Sequence, residues 1–160
     1  MAGKSEEVVA LVLSKPALFE DVVNAILVDN PGIRMRASDA VEKITRDHPE
    51  WLKPYKQQFL NTIANIDQKE VRWHVAQILP RFKLTKKERE KVYSLMMSFL
   101  TDKSSIVKTF AMQALTDIAL QDKKYVNKVN LLICKLIKDG TPAMQSRGKK
   151  LLTLLNSQET

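Results

Sequence analysis

The chain has 160 residues, enough for one ordinary domain with a substantial core, and apolar residues make up 44% of it against only 4 glycines and 6 prolines. That composition excludes a largely disordered or collagen-like chain. The single cysteine, Cys134, excludes an internal disulfide and reads as a buried thiol among Leu131, Leu132, Ile133, Leu136 and Ile137. Charge is uneven. Residues 1–30 carry Lys4 and Lys15 against Glu6, Glu7, Glu20, Asp21 and Asp29, a sum of −3, and everything from Pro31 onward sums to +11. A positive field of that size draws in an acidic protein or a phosphate backbone, or simply keeps a surface solvated.

Ser5 to Leu13 reads as a short leading helix, capped by Ser5 and with two glutamates in its first turn. Its apolar run is too short and its flanks are wrong for a signal peptide. No segment approaches the 18–20 uninterrupted apolar residues of a membrane span, so membrane insertion is not expected. The expected location is the cytoplasm, and a nuclear protein would look the same by this criterion. Lys15-Pro16 interrupts, and Ala17 to Val28 follows as a helix with Leu18, Val22, Ala25 and Ile26 on one side. Asp29-Asn30-Pro31-Gly32 makes a tight turn into a helix that ends near Arg46.

After the turn at Asp47-His48-Pro49-Glu50, Trp51 to Ile63 spaces Trp51, Leu52, Tyr55, Phe59, Leu60 and Ile63 three or four apart, with Pro54 in its first turn. The next helix begins around Val71, and Pro80 should bend or finish it. Thr85 with Glu88 three residues later is a capping box for a helix through Leu100. Further helices are expected over Ile106 to Leu120 and Val126 to Lys138. Thr141 then caps a last one that has Pro142 as its first residue.

One stretch recurs. Val71-Arg72-x-x-Val75-Ala76-x-Ile78-Leu79 has counterparts in Ile33-Arg34-x-x-Ala37-x-x-Ala40-Val41 and Val107-Lys108-x-x-Ala111-x-x-Ala114-Leu115, with a weaker copy at Met144-Gln145-x-x-Gly148-x-x-Leu151-Leu152. The anchors Ile33, Val71, Val107 and Met144 are 38, 36 and 37 residues apart, and Ile44, Phe82, Ile118 and Leu155 close the copies. Asp29, Asp67, Asp102 and Asp139 precede the anchors by four or five residues, where a short carboxylate accepts turn N–H groups. A repeat of this length is one supersecondary unit that buries its apolar face by stacking on its neighbours.

From about Ala17 to Leu155 this pattern resembles the HEAT repeat family. The resemblance implies an all-α fold, a right-handed alpha-alpha superhelix (a HEAT/armadillo-like solenoid) of about nine helices. Residues 1–160 would then form a single HEAT-like repeat domain, with units at about 17–46, 50–82, 87–120 and 124–155 behind the leading helix 5–13. It also implies a scaffold whose concave side is lined by the second helix of each pair. Lys108, Gln145 and Gly148 depart from the pattern, and the fourth copy reads as a capping unit.

On the second helices, Trp73, Gln77 and Arg81 share a face flanked by His74 and Arg72, and Met35, Lys43, Thr109 and Gln113 hold matching positions with Asp39 and Asp117. Trp73 is either the anchor of a partner site or a wedge between helices. Arg36, Arg72, Lys108, Arg147, Lys149 and Lys150 are candidate contacts to phosphate or to an acidic partner, and Arg34, Arg72 and Lys108 also suit bonds to a neighbouring repeat. Lys83, Lys86, Lys87, Arg89 and Lys91 read as a solvated loop and helix start, without interleaved aromatics for base stacking. The expected function is a non-enzymatic protein–protein scaffold or adaptor for a partner with an acidic surface or peptide. Nucleic-acid binding by a basic concave stripe is the alternative. Some HEAT-like relatives excise alkylated bases, and a DNA glycosylase-like enzyme built on Trp73 with Asp39 or Asp117 comes last. His48 and His74 lie on different elements without a nearby cysteine, so no metal and no cofactor is expected.

Overall fold

A computed structural model describes residues 3–158, and the secondary structure it contains among those residues is entirely helical. There are nine α-helices: α1 Lys4–Ser14, α2 Phe19–Ala25, α3 Pro31–Asp47, α4 Lys56–Asn61, α5 Lys69–Ile78, α6 Lys86–Phe99, α7 Ser105–Gln121, α8 Val126–Asp139 and α9 Pro142–Asn156. Five 3-10 segments join or extend them, at Pro16–Leu18, Pro49–Tyr55, Ile63–Asn65, Leu79–Arg81 and Lys123–Tyr125. No helix among the described residues is long and apolar enough to cross a membrane.

The caps expected at Thr85 and Thr141 form. Thr85 Oγ1 accepts from the Glu88 N–H and the Thr85 N–H donates to Glu88 Oε2, while Thr141 Oγ1 accepts from Met144 N–H ahead of Pro142. Three local expectations are corrected. Ser5 is not a cap, because α1 starts one residue before it and the free Gly3 N–H is taken by Glu6 Oε2. The helix expected over Ala17 to Val28 is a 3-10 turn followed by α2, and it closes with tight bonds from Leu27 N–H to Asn24 O and Val28 N–H to Ala25 O. Trp51 to Ile63 is not one α-helix. Pro49 and Pro54 remove two donors, so Pro49–Tyr55 winds as 3-10, and only Lys56–Asn61 is α-helical.

The turn aspartates also behave differently from one another, and Asp139 closes α8 as an exposed last residue. Asp102 Oδ1 accepts the Ser104 N–H as expected. Asp29 and Asp67 instead form ion pairs with Arg34 and Arg72, at 3.5 and 2.8 Å, each five residues along. Asn30 caps α3 in place of the aspartate, its Oδ1 accepting from Ile33 N–H.

The chain separates into two compact units, 1–82 and 83–160, with the boundary between the second and third helical pairs. In the first unit α3 is central, with α1 on one flank and α5 on the other. The opposite layer holds α2 and the segment through α4, joined by Phe19, whose ring meets Trp51 and Tyr55 edge-on. In the second unit α7 packs against α6, α8 and α9, and α8 packs against α9. Tyr93 of α6 stacks on Tyr125 at the start of α8.

Equivalent positions of the four copies are buried alike: Ala37, Val75, Ala111 and Gly148; Ala40, Ile78, Ala114 and Leu151; Ile44, Phe82, Ile118 and Leu155. Small side chains dominate the first of these rows because helices pass close there. At Gly148 a Cβ would overlap Ile137 Cγ2, a β-branched atom with little room to turn away. Alanine would gain about 1 kcal/mol of helix propensity over glycine, but overpacking costs about 1–3 kcal/mol. Gly148→Ala should therefore destabilise, by up to about 2 kcal/mol, which a thermal melt of the variant beside wild type would register.

Candidate functional site

The second helices of the first unit carry a polar cluster. Asp39 and Lys43 are one turn apart on α3, and Lys43 Nζ donates to Asp39 Oδ2 at 2.9 Å and to Ser5 Oγ of α1 at 3.2 Å. From α5, His74 points to the same place, its Nε2 lying 3.8 Å from Asp39 Oδ1. Burial pushes the Asp39 carboxyl up, but hydrogen bonds from Ser5 and Lys43 and the Lys43 charge outweigh it, so it titrates below its ordinary value. Trp73 is half-buried, and its indole N–H donates to His74 Nε2 at 3.0 Å. Gln77 donates to the Trp73 carbonyl at 3.1 Å.

His74 is buried, and burial holds its imidazole below the ordinary value of 6.5 against the pull of Asp39 and Glu42. Because Nε2 accepts from the indole, the ring proton sits on Nδ1, which is buried without a partner. Trp73 thus keeps a partly open ring, while its one donor is used internally.

Arg81 is a cross-tie. Its Nη1 donates to the Glu42 carbonyl at 2.8 Å and to Thr45 Oγ1 at 2.9 Å, and its Nη2 donates to Glu42 Oε1 at 3.2 Å. Glu42 is 3% exposed, and Arg46 covers its outer side. Met35 is exposed, as is Arg36, which lines a mainly apolar groove of about 320 Å³ with Val8, Leu11, Leu18, Val22 and Ile33. Arg72 is held by Asp67.

In the second unit, Arg147 Nη1 donates to Gln113 Oε1 at 3.0 Å, and its guanidinium lies over the Phe110 ring. Gln113 in turn donates to Asp117. Thr109 returns its hydroxyl to the Ser105 carbonyl. Lys108 is half-buried, and Lys149 and Lys150 are exposed on α9. Arg89, read from sequence as solvated, bonds Asp122 Oδ2 at 3.2 Å and the Leu84 carbonyl at 3.3 Å. Cys134, expected to be buried, is half-buried, its thiol 3.7 Å from Asn130 Oδ1.

Trp73, His74, Gln77 and Lys43 thus come together in the first unit, and Gln113 and Arg147 in the second. In both units the pattern is the same: a residue three past the second anchor reaches a residue six past the first, His74 to Asp39 and Arg147 to Gln113. Only the second is a hydrogen bond, because the neutral His74 Nε2 and the Asp39 carboxylate have no proton between them. No group of three or more metal-ligating side chains gathers among the described residues.

The outer side of α8 was not picked out in the sequence. Lys128, Lys135 and Lys138 are all exposed there, and Leu131 between them is 72% exposed. The signal for it was present in the spacing of three and four. It was masked because the same stretch also carries the apolar face that enters the core. Charge also divides by unit: residues 1–82 hold 11 basic and 11 acidic residues, and 83–160 hold 15 and 7. Comparison with protein-family models, curated proteins and solved structures finds no match to this chain.

Two outcomes follow from these contacts. Arg81→Ala strands a buried carboxylate face and a carbonyl, and should cost about 2–3 kcal/mol. Arg46→Ala removes only the outer partner and should cost under about 1 kcal/mol. Urea denaturation of both variants measures the difference. For His74, the unfolded state holds the proton more tightly than the folded state. Stability is therefore flat above 6.5 and falls as pH drops from there toward the lower folded value, by at most about 1.4 kcal/mol per pH unit. His74→Gln should flatten that slope between about pH 7.5 and 5 relative to wild type, and equal slopes would rule out a buried neutral imidazole.

Proposed function

We propose that this chain is a HEAT-like helical-repeat protein, its four pairs wound as a right-handed superhelix, that acts as a non-enzymatic binding module for an acidic protein partner. The repeat reading is supported by the equivalent burial of three rows of residues in copies that recur at 36–38 residues. One observation carries the partner chemistry. The whole formal charge of +8 belongs to residues 83–160, while residues 1–82 sum to zero. A field confined to one unit steers an acidic partner toward that unit and repels basic ones. The aromatic and arginine residues of the second helices contribute less to this reading than their types suggest, since Arg81, His74, Gln113 and Arg147 are already engaged.

The test is a titration of the full chain with a fluorescent acidic amphipathic helical peptide and, separately, with random-sequence duplex DNA, at about 150 mM salt where surface charges are screened beyond about 8 Å. Peptide binding in the micromolar range is expected. Retention on DNA should be weaker and should collapse with salt as counterion release demands. Tighter binding to DNA than to the peptide would replace the acidic protein by a nucleic acid. Absence of binding to either would overturn the reading.

A further inference from the structure

We infer that the outer face of α8 is the docking surface for an acidic helix of a partner protein, with Lys128, Lys135 and Lys138 pairing its carboxylates and Leu131 entering an apolar patch between them. This rests on the acidic-partner reading above and assigns it a surface.

The side chains at 128, 131, 135 and 138 fall within an arc of about 80° and along about 15 Å of helix. That is roughly two and a half to three turns, the length over which a second helix can lie alongside. All four are exposed, and Leu131, at 72%, is the most exposed of the large apolar residues among those described. No acidic residue occurs in α8 before Asp139, and none of the three lysines has a hydrogen bond or ion pair among the described residues. Lys124, one turn before Lys128, does have one, donating to Glu90 at 3.1 Å. The lysine row therefore begins where internal pairing stops.

The chemistry selects among anionic partners. Among the other apolar residues of α8, Val126, Val129 and Ile133 are buried in the core and Leu132, Leu136 and Ile137 are half-buried, so Leu131 alone is exposed. Only Leu131 could enter a bilayer, which is a poor membrane anchor compared with the full apolar face of an interfacial helix. A phosphate backbone would meet the lysines but leave Leu131 facing charge. An amphipathic helix with carboxylates at spacings of three and four around an apolar position satisfies all four side chains at once.

The experiment uses the full chain and a 20-residue helical peptide whose glutamates recur every three or four positions around two central leucines, with a scrambled peptide of the same composition as control. Lys128→Glu/Lys135→Glu/Lys138→Glu should weaken binding at least tenfold. The matched reversal on α6, Lys86→Glu/Lys87→Glu/Lys91→Glu, changes the net charge equally and should weaken it less than about threefold. Leu131→Asp should weaken binding at least tenfold at 0.5 M salt, where the ionic contribution is screened. All of these positions are exposed, so far-UV circular dichroism should match wild type. Equal losses from the α6 and α8 reversals, undiminished binding after the α8 reversal, or tighter binding to vesicles with 30% phosphatidylserine than to the peptide would each overturn this assignment and leave the acidic-partner reading standing. Wild type that binds neither the peptide nor its scrambled control would defeat both.

Discussion

Close approach of helices at small residues is the constraint on which the rest of this structure depends. Ala37, Ala40, Ala76, Ala111, Ala114 and Gly148 are all buried, and at Gly148 even a methyl group has no space. Helices this close leave interiors at crystal-like density. A binding role then belongs to surfaces, and the groove beside α1 lies where the packing has opened. Ile33, the first anchor, is 40% exposed in that groove, whereas Val71, Val107 and Met144 at the same repeat position are buried. The first copy thus departs from the other three at its anchor.

The polar residues at the repeat positions serve mainly to fix register. Arg147 to Gln113 joins successive copies by a guanidinium–amide bond, whereas at the equivalent positions of the first unit the neutral His74 only faces Asp39, at 3.8 Å, and its Nε2 takes the Trp73 indole N–H instead. Arg81 adds a bond set to Glu42 and Thr45 that only the first unit has, since Leu154 stands at the matching place in the fourth copy. Buried polar contacts of this kind set which helix faces which, beyond any net gain in stability.

Much of the helical layout was legible because amphipathic spacing and capping residues act locally. Thr85 with Glu88, and Thr141 with Pro142, needed nothing from the rest of the chain. The misses have tertiary or backbone causes. Proline pairs at 49 and 54 tightened a segment whose side-chain spacing alone reads as α-helix. Asp29 and Asp67 turned outward because an arginine five residues on competes with the turn N–H groups. Arg81 and Arg147 have the residue type of interface anchors, and only coordinates reveal that their acceptors lie 34 to 39 residues away.

Arginine and lysine divide the charge between structure and surface. The first unit has five arginines, and Arg34, Arg46, Arg72 and Arg81 each meet a carboxylate. The second unit has two arginines, Arg89 and Arg147, both bonded internally, and thirteen lysines. A planar guanidinium with several donors suits fixed internal bonds, whereas a hydrated ammonium on a flexible stem suits a surface that meets a partner. Solubility alone favours surfaces of mixed sign, and before its last residue, Asp139, α8 carries lysines only around an apolar side chain that the fold leaves uncovered. Leu131 is the discriminating residue. A purely solubilising row has no need of an apolar side chain there, and burial against the proposed partner would recover the apolar contact that water denies it.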